Sequence, residues 1–378
     1  MSLEKIVKIS NEYGSNPDYV LAGGGNTSYK DADYLYIKGS GTTLATITAD
    51  GFVKMNRKKL SAMFEKQYSA DSAKRETEVL ADMMDAREAT ELAKRPSVET
   101  LLHNLINYTY IVHTHPSMLN GMTCGVNGKK VAEELFGQNM IWIDIIEPGY
   151  VLAAKLKEEM DNYKAKYGTD ADLILLQNHG IFLAANSVEE IDEKTKNVFA
   201  KIEQKVTRKP DFSAVSYDEK AVAEKKNEIE TVLQAAHGET SSYVVFCTNK
   251  EVLNLVADEE SFYPVSSAYS PDHIVYCKPF ALFVGAGESI KDKVIEYQQK
   301  NGFAPKIVAV QNVGFFAWGT SEKNAKISAE VFLDACKIGV YSQSFGGPLF
   351  MTPYMIDFIC NWEVESYRSK VSQESGQK

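Results

Sequence analysis

The chain has no apolar run long enough to span a bilayer. Its first residues, MSLEKIVKIS, offer neither the basic opening nor the apolar stretch that directs secretion, so a cytoplasmic protein is expected. Basic charge is in deficit: 41 Lys and Arg stand against 51 Asp and Glu, a net charge of −10. That argues against a general nucleic-acid binder, which needs a basic face. It leaves room for a small anionic substrate, because a local pocket can be positive on an acidic protein. Cysteine is scarce and never paired as C-x-x-C: Cys124, Cys247, Cys277, Cys336 and Cys360 are scattered and odd in number. Reduced thiols are expected, rather than a disulfide frame or a zinc ribbon.

What is present is the composition of a soluble globular protein, 44% hydrophobic and 24% charged over 378 residues. That length exceeds one ordinary core, so two domains are expected. Residues 3–13 read as an amphipathic helix with Leu3, Ile6, Val7 and Ile9 on one side. YVLAGGGNTSYK (19–30) reads as a short apolar strand running into glycines and a polar turn, and YLYIKGSGTT (34–43) as a strand ending in a Ser-Gly turn. Residues 71–94 are polar and helix-favouring. RPSVETLLHNLI (95–106) opens a helix with Pro96 and Ser97 at its mouth. YIVHTHP (110–116), MIWIDII (140–146) and LILLQ (173–177) have the length and composition of strands. Irregular alternation of strand and helix predicts a mixed α/β layer fold rather than an all-parallel barrel. The charged stretch around 209–239 carries a thin apolar stripe (Ala221, Val222, Ile229, Val232, Leu233) and reads as a connecting helical segment. It separates domains expected at 1–208 and 240–378.

The chain also repeats itself. LILLQNHGIFLAANSVEEIDEKTKNVF (173–199) aligns with IVAVQNVGFFAWGTSEKNAKISAEVF (307–332), placing Gln177-Asn178-His179-Gly180 on Gln311-Asn312-Val313-Gly314. Upstream, Tyr110-Ile111-Val112 falls on Tyr243-Val244-Val245 at nearly the same offset. In this alignment His113, His115 and His179 become Phe246, Thr248 and Val313. Packing histidines have no reason to vanish as a set, whereas three ligands of one metal do. Two tandem copies are therefore expected, the second degenerate and without metal ligands.

His113 and His115, two apart on a strand, project from the same face. A His-x-His pair with a third His from elsewhere is a known way to hold zinc with one position open. Glu99, in the first turn of its helix and shortly before the His-x-His strand, is the candidate acid/base; His103, four residues on, is read as structural. Gly23-Gly24-Gly25-Asn26-Thr27-Ser28 and Lys38-Gly39-Ser40-Gly41-Thr42-Thr43 are glycine-rich, hydroxyl-bearing turns. Their backbone N–H groups can form a nest for an anion, with Lys38 adding charge. Neither matches the Walker A or the dinucleotide pattern.

GGGNTS, KGSGTT, RPSVET, HTHP and QNHG, in this order and spacing, resemble the phosphate-binding, acid/base and metal segments of the class II aldolase/adducin family over roughly residues 10–205. A closer resemblance is to the aldolase portion of the long bacterial rhamnulose-1-phosphate aldolase/dehydrogenase proteins. Pro271-Asp272-His273 and the terminal Trp362-Glu363-Val364-Glu365 fit their pattern. Those proteins continue into a short-chain dehydrogenase that is not among these residues. The resemblance implies a class II aldolase-like fold. It implies a divalent metal, usually Zn2+, on His113, His115 and His179, and proton transfer by Glu99. It also implies a substrate phosphate held by Asn26, Ser40, Gly41 and Ser97, with Gly25 in the first turn. Many short aldolases have a second Ser where this chain has Val98, so that one phosphate contact is either missing or replaced by Lys38. The implied reaction is cleavage of a ketose 1-phosphate, such as rhamnulose 1-phosphate, to dihydroxyacetone phosphate and an aldehyde. The family also supports epimerases, dehydratases and decarboxylases, since fold does not fix function. An adducin-like binding module without chemistry would have lost the histidines. Family aldolases form fourfold rings, so a homo-oligomer, dimer or tetramer, is expected. In it the second copy would stand in for a silent neighbour, with Tyr341 or Tyr354 lining a substrate pocket. Equally, that copy could serve only to bury an apolar face.

Overall fold

Seven short strands build the first sheet: β1 (Asn26–Lys30), β2 (Tyr34–Lys38), β3 (Phe52–Asn56), β4 (Tyr110–Thr114), β5 (Ile141–Ile143), β6 (Leu173–Leu176) and β7 (Gly180–Ala185). They are ordered β3-β2-β1-β4-β7-β6-β5. Every pairing is antiparallel except β5 with β6. This computed structural model describes residues 2–362; of the terminal W-x-x-E stretch, Glu363, Val364 and Glu365 lie outside the described residues. The chain divides into two compact units. Residues up to Thr123 with Gly128–Lys205 form the first; Cys124–Asn127 and the chain from Val206 onward form the second.

In the first unit, β4, β6 and β7 are buried along their whole length, as expected of central strands covered on both faces. One face packs Leu35, Ile37, Val53, Met55, Ile174 and Phe182 against Leu102 and Ile106 and against Leu152 and Leu156 of the helix Tyr150–Tyr167. The helix Val188–Glu203 starts where the Ser187 side chain accepts the Glu190 N–H, a standard N-cap.

Two expectations need correcting. Residues 19–25 form no strand, and Ala22 sits in a turn at φ 49°. The strand begins only at Asn26, in the segment read as a polar turn. Polarity misleads there because Asn26, Thr27 and Ser28 are buried yet hydrogen-bonded: Thr27 Oγ1 lies 2.6 Å from Ser10 Oγ and Ser28 Oγ lies 2.7 Å from His103 Nδ1. A buried polar group with partners costs little. In addition, β3 and β7 are separate strands that the sequence pattern does not announce.

The second sheet comprises β8 (Tyr243–Cys247), β9 (Leu282–Val284), β10 (Ile307–Val310) and β11 (Gly314–Gly319), ordered β8-β11-β10-β9 with only β9 and β10 parallel. This repeats β4-β7-β6-β5 strand for strand. The register agrees as well: His113 pairs with Phe182, and Phe246 pairs with Phe316. The fold is thus a mixed α/β fold in two copies. Among the described residues the second sheet has no counterpart of β1–β3. The expected connecting segment contains a helix, Glu219–His237, capped by the Asp218 side chain and ended by Gly238 at φ 68°. Its Val222, Ile229 and Leu233 pack with Val244, Leu282, Val308 and Phe316, inside the core of the second unit. No helix among the described residues is long and apolar enough to cross a membrane.

That helix ends in a pH-sensitive contact. The His237 ring stacks on Trp318, centroids 3.6 Å apart and planes within 2°, and its Nε2–H donates to the Pro305 carbonyl at 3.0 Å. Burial lowers its pKa from 6.5 to about 4. The unfolded chain therefore takes up this proton first as pH falls. The contribution is complete above about pH 6.5 and is lost as pH drops toward 4. With solvent screening at this half-buried site allowed for, it is worth about 2 kcal/mol. His237→Phe keeps a ring on Trp318 and removes the titration. Urea unfolding followed by tryptophan fluorescence at pH 7 and pH 4.5 should show a smaller acid-induced loss in the variant; equal losses would show that His237 is not responsible.

Candidate metal and acid/base site

β4 delivers His113 and, just past its end, His115; the turn between β6 and β7 delivers His179. His113 is completely buried. Its ring lies flat on Phe182 with centroids 4.1 Å apart, and its Nδ1 sits 2.9 Å from the Ile181 carbonyl. A carbonyl only accepts, so Nδ1 carries the proton and the Nε2 lone pair faces outward. The β6–β7 turn places Asn178 in the left-handed region at φ 55°. The Gln177 side chain accepts the Ile145 N–H at 2.9 Å, and Asn120 Nδ2 donates to the His179 carbonyl at 3.2 Å. A side chain on Gly180 would collide with the Thr114 carbonyl and the His115 ring, so only glycine lets the two ligand-bearing segments approach.

The ligand atoms of His113, His115 and His179 all lie within 4.8 Å of one another. His113 Nε2 and His115 Nε2 are 2.9 Å apart. Nitrogens on a tetrahedral zinc, each at about 2.0–2.1 Å, stand about 3.3 Å from each other. The His113–His115 pair therefore needs to open by only a few tenths of an ångström to take such an ion, with His179 in reach of the same position. Among the described residues this is the group of His, Cys, Asp or Glu side chains arranged to hold a metal.

Glu99 immediately precedes the helix Thr100–Leu105, its side chain making no capping bond to it, and is 6% exposed. Its Oε1 lies 3.3 Å from His113 Nε2 and 3.5 Å from His179 Nε2, and makes no hydrogen bond within the protein. Its Oε2 accepts from Asn26 Nδ2. Burial opposes ionisation of Glu99, but the imidazoles of His113, His179 and His115, when protonated, outweigh it and hold the carboxyl well below the usual range. His103, also buried, sits between Ser28 and Asn26; burial keeps its pKa well below the ordinary value, so the ring is neutral.

The residues expected around a phosphate form a stitched rim beside Glu99. Asn26 Nδ2 donates to Ser97 Oγ at 3.2 Å, the Ser97 N–H to the Lys38 carbonyl at 3.2 Å and the Ser40 N–H to the Arg95 carbonyl at 2.8 Å. Lys38, buried, directs Nζ to the Gly23 carbonyl at 3.3 Å. Gly25 and Gly41 have φ of +64° and +87°, and a Cβ on Gly25 would meet the His113 carbonyl at 2.8 Å. One feature differs from the expected nest. The N–H groups of Gly39, Ser40 and Thr42 are engaged inside the protein, because this turn must also lock to the Arg95–Ser97 segment. Ser40 is left with its hydroxyl to offer an anion. Sequence reasoning missed the Asn26–Glu99 contact and the part played by His103; the only available signal was the Glu99/His103 spacing of four on one helix face.

The second copy keeps the scaffold and not the ligands. The Gln311 side chain accepts the Ala286 N–H at 2.7 Å and Asn312 sits at φ 58°, as Gln177 and Asn178 do in the first copy. Phe246, Thr248 and Val313 stand where the histidines were, and Phe246 packs on Phe316 at 4.9 Å. Tyr341 and Tyr354 lie on the helices Glu322–Ser342 and Pro353–Asn361 of this unit, Tyr354 being 62% exposed.

A relative from Bacillus subtilis (strain 168), described as the uncharacterized oxidoreductase YuxG, is 23% identical over 411 aligned residues. The match covers 97% of this chain and 58% of that protein, so the chain spans little more than half of its relative. Among solved structures, the N-terminal class II aldolase domain of a conserved protein from Thermoplasma acidophilum is 25% identical. It covers 53% of this chain and 92% of that one, with a TM-score of 0.45. L-fuculose-1-phosphate aldolase from Thermus thermophilus is 15% identical, covers 54% and 92%, and has a TM-score of 0.35. Residues 4–198, just over half of the chain, match the family model of the class II aldolase and adducin N-terminal domain. With more than half its length matching that model, the chain belongs to the class II aldolase/adducin family.

Proposed function

We propose that this chain is a metal-dependent lyase that cleaves a ketose 1-phosphate, of which rhamnulose 1-phosphate is the type, to dihydroxyacetone phosphate and an aldehyde. The observation that carries the reading is the Glu99 carboxylate: one oxygen is anchored, and the other makes no hydrogen bond and faces two of three convergent imidazoles. His113, His115 and His179 would hold the divalent ion, which we take as Zn2+. When bound there, such an ion supplies a Lewis acid for the carbonyl and neighbouring hydroxyl oxygens of the sugar. Glu99, through Oε1, exchanges the proton at the donor carbon, the act that needs a carboxylate within about 3 Å of the proton's path. Gly25, Lys38, Ser40, Gly41 and Ser97 lie on the rim that would receive the phosphate. Asn26 reaches a phosphate only by giving up Ser97, because its other N–H is on Glu99. A cytoplasmic homo-oligomer, dimer or tetramer, belongs to the same reading, with the second copy as its non-catalytic half.

Release of dihydroxyacetone phosphate, followed by its coupled reduction across a panel of ketose 1-phosphates, tests the proposal. Metal-dependent release is expected, abolished by chelator and restored by Zn2+. Absence of release from every member of the panel, with metal bound, would refute it.

A further inference from the structure

β1 alternates its side chains, and three of them, Asn26, Ser28 and Lys30, fall on one face at two-residue spacing. All three are buried, and all three grip the same short helix, Thr100–Leu105. Asn26 holds Glu99 at its start. Ser28 holds His103 within it at 2.7 Å. Lys30 Nζ donates to the carbonyls of His103 at 2.5 Å, Asn104 at 3.4 Å and Ile106, satisfying the helix end that would otherwise be bare. The polar face that looked like a turn is a clamp on the element that carries Glu99.

The hydrogen-bond roles inside the clamp have one consistent solution. Glu99 Oε2 is an acceptor, so Asn26 must turn its N–H₂ toward it; the reversed amide would set oxygen against a carboxylate. Asn26 Oδ1 then faces His103 Nε2, which must carry the proton. His103 Nδ1 is left with a lone pair and accepts from the Ser28 hydroxyl. The chain of donation runs Ser28 O–H to His103, His103 Nε2–H to Asn26, and Asn26 N–H to Glu99.

We propose that His103 is a positioning residue: as its Nε2–H tautomer it fixes the Asn26 amide, which holds Oε2 of Glu99 and leaves Oε1 as the oxygen aimed at the site. Its catalytic consequence rests on the proton-transfer role proposed for Glu99. Its geometric content does not.

Three measurements test this. In the full chain labelled with 15N-histidine, the His103 ring, identified by its loss in His103→Gln, is expected as a neutral Nε2–H tautomer. A neutral Nδ1–H ring or a doubly protonated one would overturn the proposal, whatever the protein's activity. In crystals of His103→Leu, the Asn26 amide and the Glu99 carboxylate should be displaced while His113, His115 and His179 stay in place; an unmoved Asn26 and Glu99 would overturn it. Exchange of the donor-carbon proton of dihydroxyacetone phosphate with D2O isolates proton transfer from any choice of aldehyde. For His103→Leu the exchange kcat should fall about 10–100-fold with KM and zinc content unchanged. His103→Gln, whose amide N–H can still reach Asn26, should recover most of the rate. A His103→Leu chain exchanging at the wild-type rate would exclude the positioning role. A wild-type chain that exchanges no proton at all would instead remove the aldolase reading, leaving the tautomer and the crystals to decide on His103.

Discussion

Replacing His115 with alanine is expected to leave the chain folded and unable to retain metal. Among the three imidazoles it is the cleanest to remove. His113 is completely buried on Phe182 and tied to Ile181, so its loss would open a cavity as well as a coordination position. His115 lies just past the end of β4, partly exposed, and its ring packs against those of the other two ligands, His113 and His179. Losing an outer partner of a metal ligand costs about 10–100-fold in affinity, and losing a ligand itself should cost more. Wild-type chain dialysed against zinc should hold one equivalent, because the second copy has Phe246, Thr248 and Val313 in the corresponding places. Zinc at about 100 times its dissociation constant should stabilise the wild type by about 2.7 kcal/mol, since it binds the folded state alone. The variant should show neither the equivalent of metal nor the zinc-dependent rise in melting temperature. A His115→Ala chain that keeps both would dissolve the three-histidine site. Two equivalents per wild-type chain would contradict the silence of the second copy.

The ease with which this site is read from sequence comes from the repeat. One strand and one turn recur at nearly constant offset, so the loss of His113, His115 and His179 together stands out against a preserved background. The structure shows why that background persists. The Gln177 and Gln311 side chains make the same backbone bond, and Asn178 and Asn312 adopt the same left-handed turn. These are requirements of the β6–β7 and β10–β11 connections, independent of any ligand. Apolar runs mark β4 and β6 for the same reason: central strands bury both faces. β1 escapes such a reading because its buried side chains are polar, and their partners lie far along the chain. Asn26 and Glu99 are 73 residues apart, and Asn26 and His103 are 77 apart. No local pattern announces such a contact; it appears only when the sheet has set β1 beside the helix Thr100–Leu105. β7 is hidden in the continuous apolar run that follows Gly180, where nothing but the turn at Asn178 divides it from β6.

Glu99→Gln is expected to retain zinc and to lose about 10²–10⁴-fold in turnover, the range typical of removing a general acid/base. The substitution is nearly isosteric, and the surroundings can absorb it. The new amide oxygen can take the Asn26 N–H that Oε2 took, so the clamp of Ser28, His103 and Asn26 survives. The new N–H₂ then points where Oε1 pointed, toward His113 Nε2 and His179 Nε2 at 3.3 and 3.5 Å. Folding should not suffer, because a buried charge has been exchanged for a neutral group that keeps its hydrogen bond. What the amide cannot do is accept a proton, and that is the property the rate should report. The measurement pairs turnover of a ketose 1-phosphate with metal content and with proton exchange of dihydroxyacetone phosphate in D2O. Turnover and exchange should fall together while zinc stays. Loss of zinc along with the rate would make Glu99 a ligand whose chemistry is secondary. Full activity would remove Glu99 from proton transfer altogether, and with it the reason for one carboxylate oxygen to stand without a hydrogen bond beside three histidines.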